Sequence, residues 1–302
     1  DPILPYIDGE WIKAKGTTLG ADNGIGVAAA LAILEDKNVA HGPLECLFTL
    51  DEETGLTGAS SLDTNILNAE ILLNLDSEEL GTLYIGCSGG KNTIAKFSFK
   101  NEAVPTDSVA YEIKIEGLVG GHSGLEIHQQ RGNAIKILAR VLRQSELDFQ
   151  LRLSEIQGGN KHNAIPREAF AQVTLPKSFE KDFLAFLEKM NAIVRDEIAS
   201  IENGLKISAI KNNLPANVME MKVQTNLLLA LNALPHGVMK MSPYIPNLVE
   251  TSTNLAIIKT ENSTVSIVTS QRSSVASEIK EAVDTIGAIF LLAQAEVNKT
   301  DG

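Results

Sequence analysis

Leu44-Glu45-Cys46-Leu47-Phe48-Thr49-Leu50-Asp51-Glu52-Glu53-Thr54-Gly55 sets a short apolar run against three acids and a turn. The run reads as a buried strand, with the acids gathered at its carboxyl end. The same design returns in Ile71-Leu72-Leu73-Asn74-Leu75-Asp76, and a short helix is expected between the two, over 59–67. Upstream, residues 6–12 read as a hairpin that turns at Asp8-Gly9. Asn23 then caps a helix running to about Asp36, with Val27, Leu31 and Leu34 at core spacing. Strand and helix in alternation predict an α/β segment, a mostly parallel sheet with helices on both faces.

Gly86-Cys87-Ser88-Gly89-Gly90 breaks that pattern. A domain boundary is expected there, dividing the chain into 1–91 and 92–302. Beyond it the strands alternate more clearly, as in Ala110-Tyr111-Glu112-Ile113-Lys114-Ile115. Helices are expected over 131–144, 179–200, 224–233 and 275–297. Strands are expected over 150–156, 168–175, 205–210, 253–258 and 265–269. This is an α+β layer, one antiparallel sheet with helices on one face.

At 302 residues and 44% hydrophobic, the chain is long enough for about two domains with their own cores. A net charge of −12 and the lack of a basic stripe argue against nucleic acid or an anionic membrane as partner. Cys46 and Cys87 form no C-x-x-C pair, so a disulfide framework is not indicated and a reduced, cytoplasmic setting fits. The most apolar stretch, 282–297, carries Asp284 and Glu296 and is too short and polar to span a bilayer. No signal peptide is read at the start.

The acids at the strand ends carry the chemistry. In an open α/β sheet, ligands collect at the carboxyl ends of the strands. Asp22, in Gly20-Ala21-Asp22-Asn23-Gly24, joins Glu52, Glu53 and Asp76 there. Carboxylates so gathered, with one to spare as a base, can hold a pair of divalent metals. Each has a plainer reading: Asp22 as a helix cap, the others as surface acids at strand ends. It is their joint occurrence that favours a site. Gly120-Gly121-His122-Ser123-Gly124 brackets one imidazole with three glycines, a loop able to bring a ring and backbone amides to an oxyanion. A loop histidine without a role is the alternative. Arg272 ends a strand and can clamp a carboxylate, or stand solvated. Gly158-Gly159-Asn160, with Asn163-Ala164-Ile165-Pro166, reads as a turn feeding a strand. The segment 86–91 lacks Walker spacing, and Cys87 has no base at a suggestive distance in sequence.

Taken in order, Gly-Ala-Asp-Asn-Gly, Asp-Glu-Glu-Thr-Gly, Asn-Leu-Asp-Ser-Glu-Glu and Gly-Gly-His-Ser-Gly closely resemble the M20 metallopeptidases. The wording is nearest the aminoacyl-histidine dipeptidase branch, and the resemblance covers essentially the whole chain. It implies an enzyme with two zinc ions that hydrolyses short peptides, Xaa-His dipeptides such as carnosine among them. Asp22 would bridge the zincs, Glu53 would bind one and Asp76 the other, and Glu52 would be the general base. His122 would lie in a lid domain and polarise the scissile carbonyl, in many relatives from a partner subunit, which implies a homodimer. Asn254 and Arg272 would contact substrate. The family's upstream His-x-Asp motif and its C-terminal zinc-binding His have no match among His41, His122, His128, His162 and His236. The resemblance therefore casts this chain as the middle of a longer enzyme, with little activity by itself. Two other readings stand beside it: another M20 amidohydrolase, such as an aminopeptidase or deacylase, and a non-catalytic dimerising or peptide-binding module.

Overall fold

Asp8-Gly9 turns the chain where the sequence asks for it. The computed structural model describes residues 2–52, 56–63, 65–77, 81–84 and 86–300, in two units, Asp1–Ile85 and Gly86–Gly302. In the first, β1 (Pro5–Asp8) and β2 (Trp11–Ala14) pair antiparallel, with Asp8 opposite Trp11. Gly9 at φ +64° takes the left-handed conformation that only glycine adopts without strain. Asn23 caps α1 (Gly24–Glu35), its Oδ1 accepting from the Gly26 amide at 2.9 Å. The helix expected over 59–67 is instead a single turn, α2 (Thr57–Ser60).

Residues 44–50 and 71–75, expected as strands, join no ladder among the described residues. Ile71, Leu72 and Leu73 are each 80% exposed, and Val27, Leu31 and Leu34 of α1 are exposed as well. An apolar run has strand propensity, but a strand forms only when a neighbour pairs its amides and carbonyls.

The second unit holds β3 (Gly89–Ser98), β4 (Asn101–Glu102), β5 (Ser108–Glu116), β6 (Gly121–His122), α3 (Ala134–Phe149), β7 (Arg152–Gly158), β8 (Ala164–Ile165) and β9 (Ala169–Pro176). There follow α4 (Glu180–Glu197), β10 (Lys206–Asn212), β11 (Val218–Met219), α5 (Met221–Ala233), β12 (Gly237–Met241), β13 (Val249–Glu261), β14 (Thr264–Ser273), α6 (Ala276–Leu292) and β15 (Glu296–Lys299). Nine strands form one sheet in the order β10-β5-β9-β7-β13-β14-β3-β15, with β12 also on β13. Every pairing in it is antiparallel.

Alternation places the core. In β5, Tyr111, Ile113 and Ile115 are buried, while Glu112, Lys114 and Glu116 stand on the half-open face. Ile135, Leu138 and Leu142 make the buried stripe of α3, and α4, α5 and α6 add theirs to the same core. Phe183 of α4 packs against Tyr111 and Phe149, with ring centroids 5.8 and 5.9 Å away. The last helix is shorter than its apolar period suggests. It stops at Leu292, Gln294 turns the chain at φ +65°, and residues 296–299 pair with β3 instead of continuing to Val297 as helix. Among the described residues no helix is long and apolar enough to cross a membrane.

Asn133 starts α3. Its Oδ1 accepts from the amides of Ile135 and Lys136 at 3.0 and 3.2 Å. Its Nδ2 donates to Leu255 O of β13 at 2.8 Å and meets His236 Nδ1 at 3.3 Å. One turn on, Lys136 Nζ donates to the carbonyls of Leu231, Asn232 and Leu234 at 2.7–2.8 Å, where α5 ends. Burial pulls Lys136 down to about 8, yet three acceptors match its three protons. Burial first, and then the Lys136 charge, push His236 from 6.5 down to about 4. Between those two values the unfolded chain binds a proton that the folded chain does not, so stability rises with pH across the window. Acidification from pH 6.5 to pH 4 is thus expected to remove up to about 3 kcal/mol through this group. Urea unfolding at several pH values should show the loss, and His236→Gln should flatten it.

Candidate active site

The His122 loop leaves β5 at Glu116 and returns at α3. Its strand β6 pairs with β8, His122 opposite Ala164, and the Ser123 amide donates to Asn163 O at 2.8 Å. Two amides point at the half-buried imidazole: Leu125 N at 3.1 Å and Gly124 N at 3.3 Å, both onto Nδ1. An Nδ1 that accepts carries no proton, so the neutral ring bears its hydrogen on Nε2. Burial, and then the charge of Arg272, hold His122 below its ordinary value, against an opposing pull from Glu126.

Arg272 reaches the same place from β14, where it pairs with Ser252 of β13. A Cβ on Gly124 would lie 2.7 Å from Arg272 Nη1 and 3.0 Å from His122 Cε1, so guanidinium and imidazole close on the bare glycine from two sides. The guanidinium borders a cleft of about 250 Å³ lined also by Ser88, Gly124, Leu125, Glu250 and Ser252. Burial lowers the Arg272 pKa, and its Nε is buried without a partner. Among the described residues Arg272 makes no ion pair. The one acid in the wall, Glu250, is taken by Lys240 at 2.7 Å. A half-buried guanidinium without a counter-ion is a place for an anion.

Asn254, expected to contact substrate, is 1% exposed. Its Nδ2 donates to Ala164 O at 2.8 Å, so it braces the β8 strand that pairs with His122. Sequence reading passed over Glu126 and Arg131. Glu126 Oε2 accepts from the His122 amide at 2.8 Å and Oε1 pairs with Arg131 Nη2 at 2.7 Å. Their position four and nine residues after His122 was the only available signal.

In the first unit, Asp22 stands exposed in the turn before α1, and the Asp76 amide donates to its neighbour Asn74 Oδ1 at 2.9 Å. Glu52 is exposed, and its carbonyl accepts from Leu56 N at 3.0 Å. Glu53 lies outside the described residues. Carboxylates are suitable zinc donors. Among the described residues, however, no three His, Cys, Asp or Glu side chains stand together as a metal-holding group. Cys46 and Cys87 are free and exposed.

A family model described as a peptidase dimerisation domain of the M20 type matches residues 113–202, from within β5 to just past α4. Over 298 residues the chain is 42% identical to the cytosol non-specific dipeptidase of Escherichia coli (strain K12), covering 98% of this chain and 61% of that protein. The chain belongs to the M20 peptidase family. The crystal structure of an aminoacylhistidine dipeptidase from Vibrio alginolyticus matches this M20 chain with a TM-score of 0.84 and 41% identity, over 99% of this chain and 61% of that one. The chain thus spans about three fifths of the length of both relatives.

Gly124→Ala tests the geometry of this M20 loop. The new methyl forces Arg272 Nη1 away, the far end of a flexible side chain, so the fold should persist. With the cation displaced, the His122 pKa should rise part of the way toward its ordinary value, as read by an NMR titration of the imidazole. An unchanged titration would show that Arg272 does not act on His122.

Proposed function

We propose that this M20 chain serves the hydrolysis of dipeptides, with Xaa-His dipeptides such as carnosine as the preferred class. The carrying observation is the pairing of Arg272, a half-buried cation with no ion pair among the described residues, with a neutral His122 whose Nε2 bears the proton. A dipeptide offers a free carboxylate close to its scissile carbonyl, and such a pair answers both. Arg272 takes the carboxylate. His122 donates its Nε2 hydrogen to the carbonyl oxygen as negative charge develops there. The names of the two relatives, a cytosol non-specific dipeptidase and an aminoacylhistidine dipeptidase, support the reading.

In the first unit, Asp22, Glu53 and Asp76 would hold a divalent metal pair, zinc in the first instance. When bound, that pair would supply an activated water. The described residues do not gather these ligands into a metal-holding group, so their assignment rests on residue type and motif. Glu52 is assigned the base: it takes a proton at a carboxylate oxygen and returns it to the leaving amine. The protein works as a homodimer in the cytoplasm, a reading supported by the dimerisation-domain match and the name of the Escherichia coli relative.

That relative's name also says non-specific, which favours a second reading, a dipeptidase of broad range. A panel of Xaa-His, Xaa-Gly and Xaa-Leu dipeptides separates the two by kcat/KM. In the enzyme that carries this sequence, Glu52→Gln is expected to lower kcat by a factor on the order of 10²–10⁴ with zinc content unchanged. Asp22→Ala and Asp76→Ala should lower zinc content itself, measured by mass spectrometry of the metal. Equal zinc loss in all three variants would show Glu52 to be a ligand and not the base.

A further inference from the structure

The loop that carries His122 is tied shut at its base by a residue far away in sequence. Glu202 follows the last turn of α4 and is 2% exposed. Its Oε2 accepts from the amide of Val119 at 2.9 Å, and its Oε1 accepts from the amide of Gly132, also at 2.9 Å. Val119 is where the chain enters the loop and Gly132 is where it leaves. One buried carboxyl group therefore holds both ends. Burying such a group is costly unless its oxygens are hydrogen-bonded, and both are used on this one segment.

Above that base the two limbs of the loop are cross-tied. Glu126 accepts the His122 amide and pairs with Arg131, and the other arm of Arg131 donates to Gly120 O. The clamp fills the space where a side chain on residue 121 would go: a Cβ there would lie 2.6 Å from Glu126 Oε2 and against Arg131 Nη1. Gly121, at φ +148°, is thus required for backbone conformation and for room together. On the far side, β8 and Asn163 O hold the strand of His122 itself.

We propose that Glu202 and the Glu126–Arg131 pair are positioning residues for His122, holding loop 119–132 closed so that the imidazole turns Nδ1 inward to its own backbone and presents Nε2–H outward. The inference rests on the role given to His122 above, but its first readout does not need turnover. The Nδ1 acceptor geometry depends on Gly124 and Leu125 keeping their place relative to the ring. That place is set within loop 119–132, whose other anchors are the two-residue ribbon with β8 and the Ser123 amide on Asn163 O.

The test is the ¹⁵N spectrum of the imidazole nitrogens in the full chain, above the His122 titration. The native protein should show one His122 species, with Nδ1 bare and Nε2 protonated. Glu202→Gln sets an amide NH₂ against one of two backbone donors. Glu126→Gln removes the charge that holds Arg131, and Arg131→Lys keeps a charge but loses the fork that reaches both Glu126 and Gly120 O. Each should give a mixture of His122 tautomers and faster amide exchange at Val119 and Gly132, while the core resonances of Phe183 and Leu138 stay in place. If Glu202→Gln does not fold, the two clamp variants decide alone. A single Nε2–H species in every folded variant would overturn the proposal. In the enzyme, the same variants should lower kcat on the order of tenfold to a hundredfold with KM little changed, as for a displacement of about 1 Å at the reacting group. Altered tautomers with unaltered turnover would leave the positioning role standing and remove the catalytic role of His122 instead. Lowered kcat with an unaltered tautomer would overturn the positioning role.

Discussion

Asn133 uses its whole side chain, and much of the second unit hangs on it. One atom caps α3, and the other ties that cap to β13 and to the ring of His236. The start of α3 is also the exit of the His122 loop. A helix whose first amides went unpaired in a buried setting would fray there. The loop would then lose the fixed end against which Glu202 draws it closed. Core packing along α3 depends on the same register, because Leu138 and Leu142 meet the sheet only if the helix begins where it does.

Local signals were legible in the sequence and partnership was not. The Asp8-Gly9 turn and the Asn23 cap stand as read, since each is decided within a few residues. The alternation of Tyr111, Ile113 and Ile115 gave the buried face of β5. Residues 71–75 have the composition of a strand, but pairing belongs to the partner as much as to the segment. The run from 275 to 297 keeps an apolar period past Leu292, and nothing local marks Gln294 as the residue that turns left-handed and ends the helix.

The site divides in the same way. His122 and Arg272 were visible as residue types in suggestive settings. Their closeness was not, because it runs through Gly124, whose contribution is the lack of a side chain. Asn254 was marked for substrate; the structure adds that it is buried and that its Nδ2 braces Ala164 O, which its place at the end of the polar run Glu250-Thr251-Ser252-Thr253-Asn254 does not reveal. Glu126 and Glu202 look in sequence like any surface acids. What distinguishes them is where their oxygens go: Glu202 spends both on backbone amides of a single loop, and Glu126 spends one on an amide of that loop and the other on Arg131.

The sheet also has an architectural consequence. Its edge strand β15 lies beside β3, with Lys299 opposite Thr93, and the Thr300 amide donates to Asn92 O at 2.9 Å. The first and last strands of the second unit, β3 and β15, are therefore neighbours, about one strand spacing, roughly 4.8 Å, apart. A body built this way behaves as a cassette. Neighbouring first and last strands are the arrangement in which a domain can be set into a loop of another protein, or lifted out of one, with little disturbance to the host chain.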